Sequence, residues 1–216
     1  MKIAFLSFSF GDSYRDATLK MIKSIREKIK GHESLSIFVF SNEQFEGASS
    51  FIVDAPEDST SIKMNKLKWI ASKRQELEGF DLLYVIDADC LVVNDIDLKE
   101  ILPKNQNSIV CVTHPWQKTW DNAKMVERRP ESLAYIDNIR TYIQSSFFGG
   151  YSKKLLALCE ELGVWIERDL MRGIVAAWFD ESYLNKYSAD NDVTYLTSDY
   201  AVPVFRCKDT PEIVSY

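Results

Sequence analysis

No run of 18 apolar residues occurs in this chain, so the sequence offers no transmembrane helix. Cysteine is sparse: Cys90, Cys111, Cys159 and Cys207 are scattered, with no C-x-x-C pair, which argues against a zinc site or a disulfide framework. Cys90 and Cys111 fall in apolar runs and are expected as buried free thiols. Basic residues are outnumbered, 26 Lys and Arg against 32 Asp and Glu, for a net charge of −6. A chain without a cationic excess is a poor candidate for nucleic acid or an anionic membrane. An anionic ligand would need local help from a metal ion or a few placed cations. The opening "MKIAFLSFSFGDS" has too short an apolar run, and no small-residue cleavage site, for a signal peptide. It reads as a first core strand, and a soluble, cytoplasmic protein is expected. Repeats, low-complexity tracts and Gly/Ser linkers are absent, so the 216 residues read as a single domain.

What is present is enough apolar sequence, 46%, to build a sizeable core. Strands are predicted over 2–10, 35–41, 49–56, 80–89 and 107–115. Between them, 13–31 carries Ala17, Leu19, Met21, Ile22, Ile25 and Ile29 at helical spacing and stops at Gly31. A second helix is predicted over 59–79, with Ser59 to Ser61 as cap candidates and Gly79 as the stop. Alternating strand and helix predicts an α/β fold, a mostly parallel sheet with helices on its faces. The second half is less regular. Residues 144–163 read as a strand, a tight turn at Gly149-Gly150 and a helix. Residues 176–190 read as a turn feeding a helix, and 192–204 as strand-like.

The stretch "DLLYVIDADCLVVND" poses the functional question. Asp87 and Asp89 interrupt two apolar segments at the point where the buried strand Leu82–Ile86 runs out, the usual ligand position in open α/β sheets. Residues i and i+2 of a strand face the same way, so the two carboxylates can point together. Two neighbouring carboxylates repel, and a hard divalent cation relieves that while leaving positions open for phosphate oxygens. The alternative is a turn residue and a solvated or capping carboxylate. A phosphatase of the haloacid dehalogenase type is disfavoured, because there the pair ends the first strand.

Three segments of the second half, "ERRPES-LAYI" (127–136), "QSSFFGG" (144–150) and "AAWFDESYLNKY" (176–187), stand in order downstream of the D-x-D. Together they resemble family 6 glycosyltransferases, over roughly residues 60–200. The first half alone also resembles family 8 transferases, whose metal motif is similar to "YVIDADCLV". The family 6 resemblance implies a GT-A type fold, Rossmann-like, with a smaller acceptor-side region. It implies a nucleotide-binding half (1–95) and an acceptor and catalytic half (96–216). It implies retaining transfer of galactose or N-acetylgalactosamine from a UDP-sugar donor to a glycan acceptor, with α-1,3 linkage the expected one. Because both aspartates are kept, it implies metal dependence, with Mn²⁺, or else Mg²⁺, held by Asp87 and Asp89.

The same resemblance assigns residues. Glu181 matches the catalytic glutamate, as nucleophile of a double displacement or as electrostatic stabiliser of an oxocarbenium-like state. Asp180 matches a residue holding donor-sugar hydroxyls. Without the family, "DES" reads as the acidic first turn of a helix. Trp178 is an aromatic wall for the acceptor or a core tryptophan. His114, in "THPW", matches an acceptor-contacting histidine or is a packed residue. Gln144, Ser145 and Ser146 occupy the segment that tunes donor choice, but match neither common donor pattern. Lys66 falls where the family has a basic residue near UDP; its alternative is a solvated helix face that also carries Lys63, Lys68 and Lys73. Phe8, Ser9, Tyr14 and Ala88, with Asp87 and Asp89, complete the expected nucleotide site. Arg128 and Arg129 read as a mobile-loop pair or as anchors of the acceptor half through forked carboxylate bonds, with the anchoring role the expected one.

Some features depart from the family. Its basic C-terminal segment has no clear match, with Arg206 or Lys208 as possible substitutes. The acceptor-side positions Met125–Val126 and Val202-Pro203 differ from the blood-group branch. No counterpart of the animal members' stem and anchor is expected. These departures leave a catalytically weak sugar- or nucleotide-binding module as the alternative of another class.

Overall fold

The structure is a computed structural model and describes residues 1–54, 58–116, 125–203 and 211–215. In chain order the elements are β1 (Lys2–Ser9), α1 (Asp12–Lys28), β2 (Ile29–Lys30), β3 (Ser34–Ser41), β4 (Ser49–Ile52), α2 (Ser59–Ser72), α3 (Arg74–Leu77), β5 (Leu82–Ile86), β6 (Cys90–Val92) and β7 (Ile96–Asp97). There follow β8 (Ile109–Thr113), β9 (Ile143–Tyr151), α4 (Ser152–Met171), α5 (Phe179–Asp190), β10 (Val193–Leu196), β11 (Val202–Pro203) and β12 (Ile213–Ser215).

Seven strands form the main sheet in the order β10-β8-β9-β5-β1-β3-β4. Every pairing is parallel except the two made by β9, which runs antiparallel between β8 and β5. Strand β1 is buried from Ile3 to Ser9, as befits a central strand covered on both faces. Its side chains alternate. Ala4, Leu6 and Phe8 pack with Met64, Leu67 and Ile70 of α2 and with α4 and α5, whereas Ile3 and Phe5 pack with Met21, Ile22 and Ile25 of α1. The expected α/β architecture is therefore present, with one core on each face of the sheet.

Several boundaries differ from the sequence reading. Helix α1 stops at Lys28 because Ile29 turns extended, pairing β2 with β7 ahead of the Gly31 turn. Asp58, rather than a serine, caps α2. Its carboxylate accepts the Ser61 N–H at 2.7 Å, a charged cap suited to a helix N-terminus. The helix breaks at Lys73, short of Gly79, where the Ser72 hydroxyl competes for the Trp69 carbonyl at 2.7 Å. Gly149 and Gly150 do not turn the chain. Both lie in β9, and a Cβ on Gly149 would stand 2.4 Å from Tyr84 Cδ1 and 2.5 Å from the Leu83 carbonyl oxygen. The glycine serves close approach of two strands. Helix α4 continues through Gly163, where an added Cβ would meet the backbone of Lys68 on α2 at 3.7 Å, an ordinary van der Waals contact.

Cys90, Cys111 and Cys159 are free and buried; Cys207, Arg206 and Lys208 lie outside the described residues. Among the described residues no helix is long and apolar enough to cross a membrane.

Candidate active site

The strand carrying the aspartate pair ends at Ile86, so Asp87 and Asp89 stand in a turn, closed by the Cys90 N–H on the Asp87 carbonyl at 3.0 Å. Strand alternation is thus not what aims them. Continuing the ladder would have buried both carboxylates between the layers, at a high desolvation cost. The turn instead brings both to the rim of one cavity of about 210 Å³, which Phe8, Phe10 and Tyr14 also line. A second cavity of about 190 Å³ is lined by His114, Gln144, Ser145, Ser146, Trp178, Asp180 and Glu181, among others. The two chambers share Lys63, Lys66 and Asp87.

The shared wall is an ion pair. Lys66, only 8% exposed, sets Nζ 2.7 Å from Asp87 Oδ1. Burial alone would pull the ammonium down, but the charges of Asp87, Asp180 and Asp89 outweigh it and hold the proton on. Asp89 shows the opposite strain: burial, then the charge of Asp87, push its carboxyl up to about 6. Among the described residues no group of three or more His, Cys, Asp or Glu is arranged to hold a metal. The donor set nonetheless fits a hard divalent cation that takes its other ligands from a bound diphosphate and water. It offers two carboxylates in one turn, one of them strained by the other's charge.

The second chamber is built on an irregularity in β9. The ladder to β8 pairs Cys111 with Phe148, but the next residue, Val112, with Gln144, so Ser145, Ser146 and Phe147 fall between. This bulge frees the Ser145 N–H, which donates to Glu181 Oε2 at 2.9 Å. Tyr142, on the segment entering β9, donates its hydroxyl to Glu181 Oε1 at 2.6 Å. Asn185, one turn along α5 from Glu181, clamps Ile143. Its Oδ1 accepts the Ile143 N–H at 2.9 Å, and its Nδ2 donates to the Ile143 carbonyl at 2.8 Å. Burial pushes the Glu181 carboxyl up to about 7, against the pull of Tyr142 and Ser145. Burial likewise lifts Asp180, itself 3% exposed, to about 6, with Lys66 opposing.

Both acids open α5 from a strained start. Phe179 holds φ at +53°, a costly value for a bulky side chain, and its ring carries the Lys63 ammonium 5.0 Å from the centroid. The preceding turn is tied down by Glu127. Arg129 forks onto Glu127 at 2.9 and 2.6 Å and bonds the Val175 carbonyl, while Glu127 accepts the Ala177 N–H. Arg128 bonds the carbonyls of Ile136 and Asp137. Trp178, 45% exposed, stands at the outer wall.

Of the residues expected to contact donor, metal or acceptor, all line one chamber or the other except Ser9, whose hydroxyl is buried and accepts from Thr18 at 2.7 Å; Arg128 and Arg129 line neither chamber. Tyr142, Lys63, Phe10 and Phe179 belong to the site and were missed. Lys63 carried a signal, three residues from Lys66 on one helix. Tyr142 carried none, since its partner lies 39 positions away.

Acids and lysines gathered in a two-chambered cleft, at the carboxyl ends of central strands in a seven-stranded mixed sheet, define a GT-A type α/β protein. The model of glycosyltransferase family 6 matches residues 48–202, and the chain belongs to that family. Histo-blood group ABO system transferases 2 and 1 of Rattus norvegicus are each 34% identical over 111 residues, 47% of this chain and 32% and 31% of theirs. The O-antigen biosynthesis glycosyltransferase WbnI of Escherichia coli is 24% identical over 141 residues, 59% of this chain and 55% of its own. The matched part of this chain thus spans about a third of each rat transferase and about half of WbnI.

Proposed function

We propose that the protein is a retaining α-glycosyltransferase that moves galactose or N-acetylgalactosamine from a UDP-sugar to a hydroxyl of an acceptor glycan, forming an α-1,3 linkage. The observation that carries this reading is the pair of chambers joined at Lys63, Lys66 and Asp87. A nucleotide diphosphate sugar has the same division, a base, a charged middle and a hexose. The uracil rests against Phe8, Phe10 and Tyr14, the diphosphate lies over the lysines and aspartates, and the hexose enters the chamber of Asp180 and Glu181. Residues 1–95 then supply most of the nucleotide site, and 96–216 the catalytic and acceptor side.

Each residue has a defined task. Asp87 and Asp89 would hold Mn²⁺ or Mg²⁺, which when bound would supply Lewis-acid stabilisation of negative charge on the diphosphate. Lys66 fixes Asp87 and adds a cation at the chamber junction. Asp180 orients hexose hydroxyls. Glu181, held on both oxygens, presents negative charge to the anomeric carbon as the bond to UDP breaks. Trp178 offers an apolar face for the acceptor sugar.

The test is UDP release from a panel of UDP-sugars, with Mn²⁺ or with chelator, for the wild type, Asp89→Ala and Glu181→Gln. Release from one hexose donor is expected, lost with chelator and in Asp89→Ala. Glu181→Gln should bind UDP normally and turn over at least about a hundredfold more slowly. Release that survives chelation overturns the metal role. Absence of release from every donor, with and without sugar acceptors, overturns the transferase reading.

A further inference from the structure

Glu181 is held from two directions by one short segment. Ser145 reaches Oε2 through a backbone N–H that exists as a free donor only because of the bulge, and its hydroxyl approaches the same oxygen at 3.4 Å. Tyr142 reaches Oε1 from three residues upstream. The tyrosine ring is 0% exposed, and its carbonyl accepts the His114 N–H at 2.9 Å, fixing the ring's backbone to the end of β8. The His114 ring in turn meets the phenol ring edge-on, 5.5 Å between centroids. A buried hydroxyl held this firmly, with a carboxylate at 2.6 Å, makes a charge-assisted hydrogen bond.

We propose that Tyr142 is a positioning residue for Glu181, its phenol fixing Oε1 so that the carboxylate stays aimed and ionised through the reaction. The inference rests on the transferase reading and deepens it. A carboxylate held by one donor can rotate about its last torsion. Held at both oxygens, by an O–H and an N–H on the same strand segment, it cannot turn without breaking one bond. The phenol remains protonated, because burial and then the Glu181 charge raise it, so it can only donate. The other charged or titratable groups that line the chamber around Glu181 are Asp180 on its own helix, Asp87 after β5, Lys63 and Lys66 on α2, and His114 after β8. Burial above all, and then the charges of Asp180 and Asp87, lift Glu181, while the bonds from Tyr142 and Ser145 pull it down.

The sign follows directly. Ionised Glu181 is the working form, so activity rises with pH through its midpoint near 7. Tyr142→Phe removes one oxygen and the pull it supplied, so the midpoint should move up by about one unit. Ionised Glu181 at pH 7 then falls about fivefold, and so does kcat, with the deficit shrinking as pH rises and nearly gone by about pH 9, and the donor KM little changed.

The experiment reads Glu181 directly. Protein labelled with ¹³C at glutamate carboxyls is titrated by NMR, with Glu181 assigned as the signal lost in Glu181→Gln. Replacing Tyr142 by a site-specifically incorporated fluorotyrosine, a stronger donor, should move the midpoint down, and Tyr142→Phe should move it up. If Tyr142→Phe fails to fold, the fluorotyrosine protein carries the test. An unmoved Glu181 midpoint in whichever folded variant is titrated overturns the positioning role, even if UDP release is normal. Failure of UDP release in the wild type, with the midpoint shifting as stated, overturns the transferase reading and leaves the Tyr142–Glu181 coupling standing.

Discussion

Glu127, 2% exposed, is gripped by the Arg129 fork and by the N–H groups of Arg129 and Ala177. The Arg129 bond, followed by those N–H bonds, pulls its carboxyl down to about 2, against burial. A folded value below the ordinary one contributes stability that is complete above about pH 4.5 and is lost as pH falls toward 2. Glu127→Gln should therefore lose about 2 kcal/mol at pH 7, and the gap to wild type should close as urea melts are run toward pH 2–3. Glu181 carries the reverse sign. Its folded value near 7 lies above the ordinary 4.5, so ionising it opposes folding progressively between those two values. Glu181→Gln should be more stable than wild type by about 1–2 kcal/mol at pH 8, and show no such gain at pH 4. The same urea series checks both substitutions. One acid contributes to the scaffold and the other is kept at its expense.

Strand β9 shows where local rules stop. Its two glycines look like a turn because Gly-Gly usually makes one, yet the reason for Gly149 is Tyr84, across the sheet on β5. Gly149→Ala should cost about 3 kcal/mol, since a backbone oxygen stands in the way of the new methyl. Gly150→Ala, with its nearest neighbour at 3.4 Å, should cost far less, and chemical denaturation of the two variants separates them. Much of the fold was legible in the chain: the apolar runs at Ile3–Phe8 and Leu82–Ile86, the helical spacing of Met21, Ile22 and Ile25, and the aspartate pair at a strand end. The bulge was not legible, because it is defined by the pairing of Val112 with Gln144 and by the Asn185 clamp on Ile143. Those contacts join residues dozens of positions apart, and no local pattern announces them. Tyr142 escaped notice for the same reason, whereas Glu181 was found through its neighbours in "WFDESYLN".

At the scale of the molecule, the two chambers lie where α2, the turn after β5, the bulge of β9 and the start of α5 converge. A ligand filling both chambers would bind across all four, and so stabilise the fold as a whole. UDP at about a hundred times its Kd, with Mn²⁺ present, should add about 2.7 kcal/mol and raise the Tm by roughly 5–10 °C. In Asp89→Ala the part of that rise which depends on Mn²⁺ should vanish, as a thermal melt with and without chelator reads. The bulge has a further consequence for how such a protein can change over generations. Ser145 and Ser146 line the second chamber while standing outside the β8 ladder, and their hydroxyls bond only Glu181 and Gln144 among the described residues, so the β8 pairing does not depend on which side chains they carry. On the proposed function, their substitution should alter what is recognised more than what is folded. If the proposed function holds, a library randomised at these two positions should keep most of its members folded while scattering their sugar preferences, giving selection a free variable beside Glu181.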